Sequence, residues 1–87
     1  MPYQIVIERR ASKELSSLPR NAYFSIRKAI DAISANPRLR GYIKLEGEDN
    51  LYRYRVGDYR IIYQISDLII TVVIIKISHR KDVYRKL

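Results

Sequence analysis

No cysteine occurs in the 87 residues. Disulfides and zinc–thiolate sites are therefore excluded, and the cytoplasm is the expected compartment. A single histidine rules out a histidine-rich metal site. Glycine is scarce, at three residues, and no Gly-rich phosphate loop is present. No carboxylate cluster has metal-ligand spacing, and no serine has the setting of a Ser/His/Asp hydrolase. No metal and no cofactor are expected. Long apolar runs are missing too. The longest, Leu68 to Ile75, is interrupted by Thr71 and is far too short to cross a bilayer. The first eight residues lack a charged segment followed by a long apolar stretch, so no signal peptide is expected.

Negative charge is also in short supply. Nine acids face 17 Lys and Arg, which leaves a net charge of +8. Eleven of the 17 are arginine. Arginine favours planar, bidentate contact with phosphate or carboxylate. Small basic domains meet nucleic acid, anionic membranes or acidic proteins. The plainer reading is a soluble domain that happens to be basic. An apolar fraction of 47% argues against disorder. The length predicts one domain over residues 1–87, burying about 60–65% of its unfolded surface around a thin core.

Residues Tyr3 to Glu8 are rich in β-branched side chains and read as a strand. Ala11, Leu15 and Leu18 have the spacing of one helix face, and Pro19 then interrupts. A second helix is expected from Arg20 to Ala35, with Ala22, Ile26, Ala29, Ile30 and Ile33 as its apolar stripe. Asn36-Pro37 ends it, because the residue before proline avoids the helical region. The two segments form a helical hairpin with one apolar side. Pro37 to Asn50 reads as a connector, with a short extended piece at Tyr42 to Leu45.

Three strands follow, at Leu51–Val56, Tyr59–Ile65 and Leu68–Ser78. The first turn is Gly57-Asp58, a hairpin signal; the second is Ser66-Asp67. The last strand is apolar on both faces, as a central strand would be. Leu68, Ile70, Val72 and Ile74 share one face, and Ile69, Val73, Ile75 and Ile77 the other. His79 to Leu87 reads as a short helical segment docking through Val83 and Leu87. The expected fold is α+β: an N-terminal strand, a helical hairpin, an antiparallel three-strand meander forming one small sheet, and that C-terminal segment.

Alternation places Leu51, Arg53 and Arg55 on one strand face, and Arg60, Ile62 and Gln64 on one face of the next. The Gly57-Asp58 turn brings Arg60 near Arg55 or Arg53. Clustered like charges are costly unless an anion sits between them, so this face is a candidate oxyanion site. The competing reading is a solvated face whose arginines pair with Glu46, Glu48 or Asp58. His79 is of the one side-chain type whose unperturbed pKa lies near neutrality, and it ends the last strand. With Arg80 and Tyr84, at helical spacing, it is expected to join the arginines on one side of the sheet. RNA carries its own nucleophile in the 2′-hydroxyl. Its cleavage needs positioning, a proton acceptor, a proton donor and positive charge.

The stretch Leu51 to Tyr63, containing Arg-Val-Gly-Asp-Tyr-Arg-Ile-Ile-Tyr, and the stretch Val72 to Tyr84, containing His-Arg-Lys-Asp-Val-Tyr, resemble the RelE/ParE superfamily of bacterial and archaeal toxins. The resemblance covers nearly the whole chain. It implies a toxin held inactive by an antitoxin, an acidic chain in a toxin–antitoxin hetero-oligomer. RelE-type members cleave mRNA in the ribosomal A site without a metal; ParE-type members inhibit DNA gyrase by binding. By position, the resemblance gives Arg60 the scissile phosphate, and Arg80 or His79 the proton donation. Tyr84 would stack on or orient a base, and Arg53, Arg55 and Lys81 would hold RNA. Some nuclease members carry lysines where Arg53 and Arg55 stand, one acting as base. Arginine is too strongly basic for that role, which leaves His79 first and Tyr84 second as proton acceptor.

Overall fold

The computed structural model describes residues 2–47 and 50–79. The expected C-terminal helical segment, with Arg80, Lys81, Val83, Tyr84 and Leu87, lies outside the described residues, as does Glu48. Strand β1 (Gln4–Ile7) leads into helices α1 (Arg9–Ser16) and α2 (Arg20–Ala35). Strands β2 (Ile43–Lys44), β3 (Leu51–Val56), β4 (Tyr59–Ser66) and β5 (Thr71–His79) follow. The expected meander is therefore the centre of a larger sheet. Its order is β1-β5-β4-β3-β2. β1 runs parallel to β5, and every other pair is antiparallel.

Helix α1 has only eight residues, too few to persist alone. Ala11 and Leu15 anchor it in the core. Helix α2 buries Ile26, Ala29, Ile30 and Ile33, the i, i+3, i+4, i+7 stripe read from the sequence. Asn36 leaves the helix in an extended conformation ahead of Pro37. The stripe packs on Tyr52, Ile61, Tyr63, Ile65, Val72, Ile74 and Ile77. Both helices thus cover one face of the sheet. Tyr63 is fully buried there, and its hydroxyl donates to the Pro37 carbonyl at 2.6 Å. Burial pushes that phenol well above its ordinary range.

Two departures from expectation matter. The first is the start of β5. Leu68, Ile69 and Ile70 are not in the strand: they form a turn and are 99%, 68% and 44% exposed. Ile70 has φ 49°, a conformation that β-branched residues avoid. A clamp at the base of the turn holds this geometry. Asp67 accepts from the Tyr3 hydroxyl at 2.7 Å and from both Arg38 terminal nitrogens, at 3.1 and 2.9 Å. Those bonds hold the Asp67 carboxyl down from an ordinary 3.8 to about 2, Arg38 first among the causes and Tyr3 second. A carboxylate whose pKa is lower folded than unfolded stabilises the fold above its unfolded value, and loses that contribution as pH falls through its folded value. The melting temperature should therefore drop between pH 3.8 and about 2, and Asp67→Asn should flatten that part of a melting-temperature series.

The second departure lies inside β5. Ile62 pairs with Lys76, but Tyr63 pairs with Ile74, so Ile75 is an extra residue. This bulge reverses the alternation of the strand. Strict alternation would put Ile77 on the opposite face from Val72 and Ile74, yet all three belong to one core cluster. Beyond the bulge, Lys76 and Ser78 turn to the face away from the helices, and Ile77 and His79 to the helix face. The Ile77 amide donates at 2.8 Å to Oε1 of Glu14, which ties α1 to the bulge.

Candidate functional site

The face of the sheet away from the helices carries the charge. The β3–β4 hairpin turns at Gly57, whose φ of +59° suits glycine. The turn sets Val56 opposite Tyr59, and hence Arg55 opposite Arg60 and Arg53 opposite Ile62. Directly opposed residues have Cβ atoms about 4.5–5.5 Å apart. On the other flank of β4, Arg60 faces Ser78 and Ile62 faces Lys76. Two rows result: Arg55, Arg60 and Ser78 in one, Arg53, Ile62 and Lys76 in the next.

Among the described residues the ion pairs lie elsewhere than on this face: they are Arg10–Glu14 at 3.7 Å and Arg38–Asp67 at 2.9 Å. Arg55 donates through Nε to the Gly57 carbonyl at 2.9 Å, which points its stem along the turn. Arg60 is different. Its Nε and Nη1 are buried and have no hydrogen-bond partner. A buried donor without an acceptor costs about 1–3 kcal/mol, and more when charged. Such a group could take an anion as its acceptor, and a guanidinium fork fits the oxygens of a phosphate.

The structure therefore brings Arg53, Arg55 and Arg60 together. It does not bring His79 to them. His79 pairs across from Tyr59, and their rings meet edge to face at 5.0 Å. It lines a cleft of about 330 Å³ with Lys13 and Glu14 of α1. That cleft lies on the helix face, because the bulge at Ile75 turned the end of β5 over. The expectation that His79 shares one side of the sheet with the arginines is corrected accordingly. Arg80, Lys81 and Tyr84 lie outside the described residues. Lys76 is the residue that the sequence reading passed over. A lone lysine inside an otherwise apolar strand was the available signal.

A family model described as the ParE toxin of a type II toxin–antitoxin system, parDE, matches residues 5–84. The chain belongs to the RelE/ParE toxin superfamily. The toxin RelG of Mycobacterium tuberculosis is 31% identical over 87 residues, which is 99% of this chain and 100% of RelG. The archaeal RelE–RelB complex from Pyrococcus horikoshii superposes with a TM-score of 0.81 at 34% identity, over 99% of this chain and 100% of the matched one. The isolated RelE toxin of E. coli matches at a TM-score of 0.79 and 25% identity, over 88% and 83% of the two chains. The relatives support the α+β architecture and the identity of the chain as a type II toxin. Among the described residues no helix of this toxin is long and apolar enough to cross a membrane.

Proposed function

We propose that this toxin is an endoribonuclease that cleaves mRNA on the ribosome. The observation that carries the reading is the buried, unpartnered fork of Arg60 beside Arg53 and Arg55. The 2′-hydroxyl of one nucleotide attacks the adjacent phosphorus. The P–O5′ bond breaks, leaving a 2′,3′-cyclic phosphate and a 5′-hydroxyl. A base takes the 2′-hydroxyl proton, and an acid protonates the departing oxygen. Arg60 stabilises the charge that builds on the pentavalent phosphorus, and Arg53, Arg55 and Lys81 hold the strand. With His79 on the far face, proton transfer falls to Arg80 and Tyr84. The RNA supplies the nucleophile, so the scheme calls on no metal.

The antitoxin partner fits the same reading. The P. horikoshii match is a RelE–RelB complex, and a net charge of +8 suits an acidic chain that offsets it. One observation favours a second reading: the matching family model is that of ParE. A ParE-like toxin would inhibit DNA gyrase by binding, with no bond broken.

Brief induction separates the two. Primer extension on a translated message should show new 5′ ends within the reading frame, and chromosomal DNA should stay intact. DNA breaks and filamentation with uncut message would establish the gyrase reading instead.

A further inference from the structure

The cationic face extends one row beyond Arg60, and its last member is Lys76. Lysine buries its stem along apolar surface while its ammonium stays within reach of water. Lys76 is 9% exposed and stands on the interior strand β5. Among the described residues no hydrogen bond or ion pair holds it, and its ammonium is not one of the buried unpartnered atoms, so the charge reaches the surface of this face. Register places it opposite Ile62, which is itself opposite Arg53. Arg53 and Lys76 thus bracket one apolar side chain, two strand spacings or about 9.5 Å apart at the backbone. The Arg55–Arg60 row lies one same-face step away, about 6.7 Å along the strands. Consecutive phosphates of an extended single strand are separated by a comparable distance. Two anion subsites side by side therefore match two neighbouring phosphates.

We propose that Arg53 and Lys76 form a second phosphate subsite, which holds the phosphodiester next to the one gripped by Arg60. The inference rests on the reading of Arg60 as an RNA-phosphate contact. It adds a residue outside the arginine set, and it requires at least two internal phosphates in the bound strand. Lys76 acts here as a positioning residue. Its ammonium fixes the strand so that the scissile linkage lies over Arg60. The Ile75 bulge delivers it, since a regular strand would turn Lys76 into the core.

The probe is a short single-stranded RNA with 2′-O-methyl sugars, which cannot be cleaved by 2′-hydroxyl attack. Its affinity for the full chain is followed by fluorescence anisotropy as salt rises. Each phosphate contact on a single strand contributes about 0.7 to the slope of log affinity against log salt. Lys76→Met should lower the slope by about that amount, and Lys76→Arg should retain it. Arg60→Ala should lower it comparably. Acylation of the Lys76 amine in the unaltered chain, read by mass spectrometry, should slow when the probe is bound, which tests the contact without any variant. An unchanged slope in Lys76→Met with unprotected Lys76, beside a lowered slope in Arg60→Ala, overturns the second subsite and leaves the first. Unchanged slopes in both variants overturn the Arg60 reading along with it.

Discussion

Arg60→Ala should lose message cleavage by about 10²–10³-fold, the usual consequence of removing one preorganised contact to a developing oxyanion. Cells expressing it should grow where the unaltered toxin arrests them. The same substitution should not weaken the fold. Nε and Nη1 of Arg60 are buried with no acceptor, so the folded state carries their desolvation without return. Truncation removes that penalty. The melting temperature should hold or rise, as it does where a site is strained for activity. Arg60→Lys restores charge but not the fork, and should recover only part of the rate. Primer extension and thermal melting on the same variants check both halves. A cleavage pattern equal to that of the unaltered toxin would remove Arg60 from the chemistry and favour the gyrase reading.

Most of the architecture was legible because it rests on short-range patterns. The α2 stripe from Ile26 to Ile33, the break at Asn36-Pro37 and the Gly57-Asp58 hairpin each follow from residues within a few positions. So does the alternation of β4, which puts Ile61, Tyr63 and Ile65 in the core and Arg60 outside it. The assignments at β5 failed for non-local reasons. Leu68 to Ile70 have the composition of a strand, yet Asp67 is held by Tyr3 and Arg38, residues far away in the chain. The turn that this clamp closes takes the apolar residues with it. The bulge at Ile75 left no local mark either. It shows only in the pairing of Ile62 with Lys76 and of Tyr63 with Ile74. That one extra residue exchanges His79 for Lys76 on the charged face.

The Ile74→Ala variant should show the largest loss of stability. Ile74 is fully buried in β5, where it pairs with Ile7 of β1 on one side and Tyr63 of β4 on the other. Its carbonyl also accepts from the Glu8 amide at 2.9 Å. Truncating a buried isoleucine to alanine removes about 2–5 kcal/mol, part transfer and part cavity. A domain of this size has about 5–15 kcal/mol in total, with the lower end expected for so thin a core. Each kcal/mol shifts the midpoint by about 4–8 °C in this size range, so a fall of about 8–40 °C is expected. Ile74→Val should cost only about 0.5–1.5 kcal/mol. Leu68→Ala, at a side chain 99% exposed, should stay within about 0.5 kcal/mol of the parent. The series is best run in the Arg60→Ala background, which cells should tolerate. Its readout is then stability alone, since the background is already silent. An Ile74→Ala midpoint equal to that of Leu68→Ala would mean that β5 does not hold the interior of the sheet together. The two rows of cations that its register aligns would then lose their frame.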